Sequence, residues 1–218
     1  MKRGHGNFES MLRLNALSPM LADTRPIDLR DTGWFYEQRL NGCRLLAQTR
    51  TPTRSGKVQL QTRDGSDATA WFPEVVESLA QLKEGPCILD GVACVLDDKG
   101  GCDREGLSER AKRRGWYRGA RPVFYFVFDL LMAQDVDLMA EPLSQRKQRL
   151  ARLLGAPLLN VIPVHHYERA EVVALLRQGR HQSDFAGLMA KRATSVYRPG
   201  TRSSDWVVLN AQEAHEGL

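Results

Sequence analysis

Nucleophiles, metal ligands and proton carriers are scattered through this sequence rather than grouped. The five histidines are His5, His165, His166, His181 and His215, and none stands at a metal-ligand spacing, or at a general-base spacing from an acid or a thiol. His165 and His166 point to opposite faces if they continue a strand, so one buried and one exposed ring is the plainer reading. Cys43, Cys87, Cys94 and Cys102 form no Cys-x-x-Cys pair, which argues against structural zinc and for free thiols in a reducing compartment. Ser203-Ser204-Asp205 reads as a turn, and there is no glycine-rich phosphate loop of the P-loop or dinucleotide type. One stretch is strongly basic. Residues 99–121 hold Arg104, Arg110, Lys112, Arg113, Arg114, Arg118 and Arg121 around Trp116 and Tyr117. That pattern suits either a solvated helix and loop or a surface for nucleic acid.

The framework for these residues is that of a folded, soluble protein. The chain has 218 residues, 42% hydrophobic and 26% charged, which is ordinary globular usage and enough length to bury a core. A net charge of +5 favours polyanionic partners without requiring one. The first 21 residues are interrupted by Glu9, Arg13 and Asn15 and do not read as a signal peptide. The longest apolar run, residues 123–128, is too short to cross a bilayer, so no membrane partner and a cytoplasmic location are expected. Alternation and turn residues predict short strands over 34–39, 44–49 and 58–62, joined by turns at Asn41-Gly42 and Ser55-Gly56, with antiparallel pairing suiting such short links. Val75, Val76, Leu79 and Leu82 mark a helix after Pro73, and strands follow over 87–96 and 123–132. Beyond them come a helix with a basic face over 144–154, a strand over 158–164, a helix over 168–178, and strands over 187–192 and 206–209. The mixture is α+β.

Five strings stand in a recognisable order: Glu37-Gln38-Arg39-Leu40-Asn41-Gly42-Cys43-Arg44, Ile88-Leu89-Asp90-Gly91-Val92, Phe126-Val127-Phe128-Asp129-Leu130-Leu131, Gly187-Leu188-Met189-Ala190-Lys191-Arg192 and Asp205-Trp206-Val207-Val208-Leu209. Ser18-Pro19-Met20-Leu21-Ala22, Phe72-Pro73-Glu74 and Tyr197-Arg198-Pro199-Gly200 agree with them. Together they resemble the nucleotidyltransferase motifs of ATP-dependent DNA ligases, most nearly the bacterial end-joining type. In that family a lysine amine attacks the α-phosphate of ATP, and the lysyl-AMP passes its AMP to a DNA 5′-phosphate before sealing.

The resemblance puts Arg39 at the position of the nucleophilic lysine. Its guanidinium has a delocalised lone pair and stays protonated to about pH 12 or beyond, so it clamps a phosphate but does not attack one. Asn41 replaces the acid of the same motif, and Val92 and Ala186 replace two carboxylates near the metal. Val208 and Asn210 replace the two lysines that neutralise the triphosphate. The resemblance therefore implies a lost magnesium site and a lost first step. Binding residues remain. Glu37 is expected at the adenine edge, Phe128 on the adenine ring, Arg44 near ribose or phosphate, and Lys191 at the phosphate. Their plain alternatives are a strand-edge acid, a core ring, a surface cation and a solvated strand end. Arg63, Arg113 and Arg114 are the candidate nucleic-acid contacts.

The implied fold is the α+β adenylation domain shared by DNA ligases and mRNA-capping enzymes, with antiparallel sheets flanked by helices around a cleft. Residues 1–33 are expected as an N-terminal extension and leading loop, 34–210 as the adenylation domain and 211–218 as a tail. No oligonucleotide-binding domain is expected within this sequence. The expected function is that of a catalytically inactive ligase homologue that binds nucleic acid, a DNA-repair protein or an adenine nucleotide. It would require no cofactor and would hold ATP or AMP weakly. An active enzyme with a displaced nucleophile, Lys57 or Lys191, and a purely protein-binding scaffold are the alternatives.

Overall fold

A computed structural model describes residues 12–50, 57–179 and 186–210. Along the chain the strands are β1 (Leu21–Asp23), β2 (Trp34–Gln38), β3 (Cys43–Gln48), β4 (Gln59–Thr62), β5 (Cys87–Val95) and β6 (Val123–Ala133). They continue with β7 (Val136–Asp137), β8 (Val161–Pro163), β9 (His166–Tyr167), β10 (Leu188–Arg192) and β11 (Arg202–Leu209). The helices are α1 (Pro73–Leu79), α2 (Arg104–Arg113), α3 (Leu143–Leu153) and α4 (Arg169–Gly179). One sheet runs β1-β11-β10-β2-β9, the other β4-β3-β5-β6-β7 with β8 beside β6. Pairing is antiparallel except for β1 with β11 and β6 with β8, which are parallel.

Local sequence explains the elements. The β6 run VFYFVFDLLMA is β-branched and aromatic, and it lies at the centre of its sheet, buried along most of its length. Pro73 opens α1, where its missing N–H costs nothing. Asp103 caps α2 by accepting from the Gly106 N–H, and Arg110, Lys112 and Arg113 in the last turn face the negative end of the helix dipole.

Apolar residues form three layers. Leu45, Leu89, Tyr125 and Val127 on one face of the six-stranded sheet pack against Phe72, Leu79, Leu107 and Leu150 from α1, α2, α3 and the residue before α1. The other face contributes Leu46, Ile88 and Phe128 to a core shared with Tyr197 and Trp206. Val172 and Leu176 of α4 cover Tyr36 and Val207 on the five-stranded sheet. The segment before residue 33 takes part in this packing: Leu14, Leu17 and Met20 enter the shared core, and β1 pairs with β11.

The short link at Asn41-Gly42 does not make a hairpin. β2 pairs with β10 and β9, whereas β3 pairs with β4 and β5, so the chain changes sheets there. A Cβ at Gly42 would stand 2.1 Å from the Ala93 carbonyl oxygen, and only glycine permits that crossing over β5. His165 is exposed and His166 half-buried, but their rings stack with centroids 5.8 Å apart rather than parting to opposite faces, because β9 begins only at His166. No helix among the described residues is long and apolar enough to cross a membrane. The expected Ser55-Gly56 turn, His5, His181, His215 and the tail from 211 lie outside the described residues.

Candidate functional site

A cleft of about 350 Å3 opens where the two sheets meet, within the size range of small-molecule sites, roughly 300–1,000 Å3. Glu37, Arg39, Lys191, Trp206 and Val208 line it from the five-stranded sheet and the turn after β2, and Arg44, Val92 and Phe128 from the six-stranded sheet. Arg63, one residue past β4, joins them.

Glu37 is 2% exposed and its carboxylate meets two ammonium groups. Lys191 Nζ lies 2.6 Å from Oε2, and Lys147 of α3 meets Oε1 while also donating to the Phe128 carbonyl at 3.2 Å. Burial pushes the Glu37 pKa up, but the two lysines outweigh it and hold the carboxyl below its usual range. Burial dominates for Lys191, pulling its pKa down to about 8 despite the Glu37 charge. The Lys191 ammonium sits 3.6 Å from the Phe128 ring centroid and 4.3 Å from that of Trp206.

Arg44 reaches the same ring, with its guanidinium carbon 4.6 Å from the Phe128 centroid. Its Nε and Nη2 donate to the two Asp90 oxygens at 2.5 and 2.6 Å, and the Tyr197 hydroxyl donates to Asp90 Oδ2 at 2.6 Å. Burial opposes the charge on Arg44, and Asp90 more than offsets it, raising its pKa. The bidentate geometry fixes the guanidinium plane. A second buried pair, Arg146 with Asp129 at 2.8 and 2.9 Å, ties α3 to β6 and so places the adjacent Lys147 under Glu37.

Arg39 is exposed at the cleft rather than packed. Its Nη1 donates to the Ala186 carbonyl at 3.3 Å, and its backbone N–H donates to Gly187 O at 3.0 Å. The Arg39 and Ala186 positions are thus neighbours in space. Among the described residues, no group of three or more His, Cys, Asp or Glu side chains is placed to hold a metal ion.

Glu37, Arg39, Arg44, Arg63, Phe128 and Lys191 therefore come together, while Arg113 and Arg114 do not. Those two end α2, on the other face of the six-stranded sheet. Arg113 lies 4.2 Å over the Tyr117 ring and pairs with Glu109 at 2.6 Å, Arg114 approaches Trp71 at 6.0 Å, and Trp116 is 61% exposed. The basic run is not wholly solvated: Arg110 is 1% exposed and clamps Glu74 at 2.7 and 3.0 Å. Sequence reasoning missed Lys147 and the partners of Arg44 and Arg146. The only signal for Lys147 was a basic helix face, which does not say which cation turns inward.

A family model described as ATP dependent DNA ligase domain matches residues 19–209. The chain is 30% identical over 200 residues to the multifunctional non-homologous end joining DNA repair protein LigD of Mycobacterium tuberculosis, covering 91% of this chain and 24% of that protein. It is 33% identical over 187 residues to the Pseudomonas aeruginosa LigD, covering 84% of this chain and 21% of the relative. The solved ligase domain of M. tuberculosis LigD superposes with a TM-score of 0.73 at 28% identity, over 90% of this chain and 60% of that one. A mycobacterial DNA ligase D complexed with ATP and MES gives 0.72 at 30% identity, over 90% and 61%. The chain thus spans about a quarter or less of these LigD proteins and three-fifths of their solved ligase domains. The ordered motifs, the two sheets around one cleft and the match over residues 19–209 make the chain a member of the ATP-dependent DNA ligase domain family.

Proposed function

We propose that this chain is a ligase-family adenylation domain that does not form a covalent adenylate and acts by binding. The observation that carries the reading is that Arg39, to which the family resemblance gives the nucleophile's position, lines the cleft with a guanidinium that has no free lone pair. The neighbouring wall supports it. Val92 and Val208, where the family resemblance calls for a carboxylate and a lysine, also line the cleft. Ala186 offers Arg39 a carbonyl instead of an acid. Magnesium does not fit this set of side chains, because among the described residues no group of three acids, cysteines or histidines is placed to hold a metal ion. Incubation with ATP labelled at the α-phosphorus, with magnesium or manganese, is expected to leave no label on the denatured protein; a labelled band rejects the proposal.

A second reading has one observation in its favour. Lys191 lines the cleft with a pKa of about 8, a value suited to an amine nucleophile. Its ion pair with Glu37 and its seat against Phe128 and Trp206 weigh the other way. Should label appear, its loss in Lys191→Ala but not in Lys57→Ala would establish this reading.

For ligands, a weakly held purine is expected, with little added by its phosphates, because Arg44 and Lys191 are already paired with Asp90 and Glu37. Stacking on Phe128 requires the Lys191 or Arg44 cation to draw back from the ring, so binding is weak, and ATP and AMP differ little. Calorimetric titration with both is the check, and a strong preference for ATP contradicts it. The M. tuberculosis LigD relative is named an end-joining DNA repair protein, and the basic charge and the candidate positions Arg63, Arg113 and Arg114 support extending a DNA or DNA-repair partner to this chain.

A further inference from the structure

We propose that Cys94 and Cys102 form a redox modification site, a dithiol that closes to an intramolecular disulfide on reaction with a low-molecular-weight disulfide. Cys94 lies near the end of β5, and Cys102 returns beside that strand through an antiparallel bridge between Leu96 and Cys102. Their sulfurs are 2.7 Å apart, well inside van der Waals contact and a short movement from bond formation.

The hairpin that aligns them is built without the bond. Asp97 N–H donates to Gly101 O at 2.8 Å, Asp103 N–H to Val95 O at 2.8 Å, and the Asp97 carboxylate accepts from the Gly101 N–H at 2.8 Å. Gly100 takes the left-handed turn conformation at φ 81°. The backbone is therefore already in place when the thiols react.

The two thiols are also unequal. Cys94 is buried, and the adjoining Cys102 sulfur together with desolvation pushes its pKa up. Cys102 is half-exposed, and the Cys94 thiol, with the Asn41 backbone N–H, holds its pKa below the usual thiol value. Cys102 is thus the attacking sulfur and Cys94 the resolving one. Cys102 thiolate attacks RSSR, forming Cys102–S–SR and expelling RS⁻. Cys94 then gives its proton to solvent and attacks the Cys102 sulfur, expelling the second RS⁻. The two thiols lose two electrons in all, RSSR gains them, and excess thiol reverses both steps.

The site touches the cleft's framework. Asn41 and Gly42 form the link between β2 and β3, two residues past Arg39, and the Cys94 sulfur is 2.6 Å from where a Gly42 Cβ would stand. Closing the disulfide fixes the sulfur against which that link rests.

The test is to treat the full chain with oxidised glutathione, alkylate free thiols under denaturing conditions, and map tryptic peptides. The expected product joins the peptide spanning 84–99 to that spanning 100–104, with a mass short by two hydrogens and reversed by dithiothreitol. Because Cys87 shares the first peptide, Cys87→Ser should retain the cross-link, as should Cys43→Ser, while Cys94→Ser should stop at a glutathione adduct on Cys102. Two outcomes would overturn the proposal: a stable glutathione adduct on wild-type Cys102 with no cross-link, or a cross-link that survives Cys94→Ser. The wild-type map decides even if a variant folds poorly.

Discussion

Glu37 holds two buried cations in one small space, and this arrangement sets the chemistry at the residue scale. Glu37→Gln removes the only anion that Lys147 and Lys191 share in the ion pairs of the described residues. It is expected to cost about 3–5 kcal/mol, the usual penalty for breaking a buried pair, measured by urea unfolding at neutral pH. Lys191 adds a pH dependence of definite sign. Its native pKa of about 8 lies below the ordinary lysine value of 10.5. Between those values the unfolded chain binds the proton and the native chain does not, so its contribution to stability rises with pH. The difference in unfolding free energy between wild type and Lys191→Met should therefore shift in favour of wild type from pH 8 to 10.5. A flat difference across that window contradicts the assignment.

Elements were easier to read from the sequence than their partners. Alternation, Pro73 and apolar spacing place most strands and helices within a few residues of the observed bounds, but Ser203-Ser204-Asp205, read as a turn, lies inside β11, and β1, β7 and β9 are too short to leave a pattern. The expected pairing of β2 with β3 fails because a two-residue turn is a local signal, whereas β2's actual partners, β10 and β9, lie far along the chain. Gly42 carried the missing information, but its need for glycine is visible only once β5 passes beneath it. Gly42→Ala is expected to destabilise the fold on the order of 1–3 kcal/mol through overpacking against Ala93, seen as a lower midpoint of denaturation. Arg110 shows the same limit: in a charged run it reads as solvated, yet its bidentate contact with Glu74 joins α2 to α1.

For the whole molecule, two surfaces on opposite faces of the six-stranded sheet invite separate experiments. The cleft was legible because ordered motifs name its residues, while Lys147 was not, since only packing turns it inward. On the far face, Arg113 stands over Tyr117, Arg114 near Trp71 and Arg110 over exposed Trp116, the mix of cations and aromatic rings that suits nucleic acid. Replacing both arginines with alanine should weaken DNA binding and flatten its dependence on salt, each lost phosphate contact lowering the slope by about 1. Absence of binding at low salt would favour a protein scaffold. This cleft, with Arg39 facing it, is expected to make no phosphoramidate. The decisive measurement is the mass of the intact protein after incubation with ATP and a divalent metal. An unchanged mass is expected, and a gain equal to one adenylate would overturn the proposal.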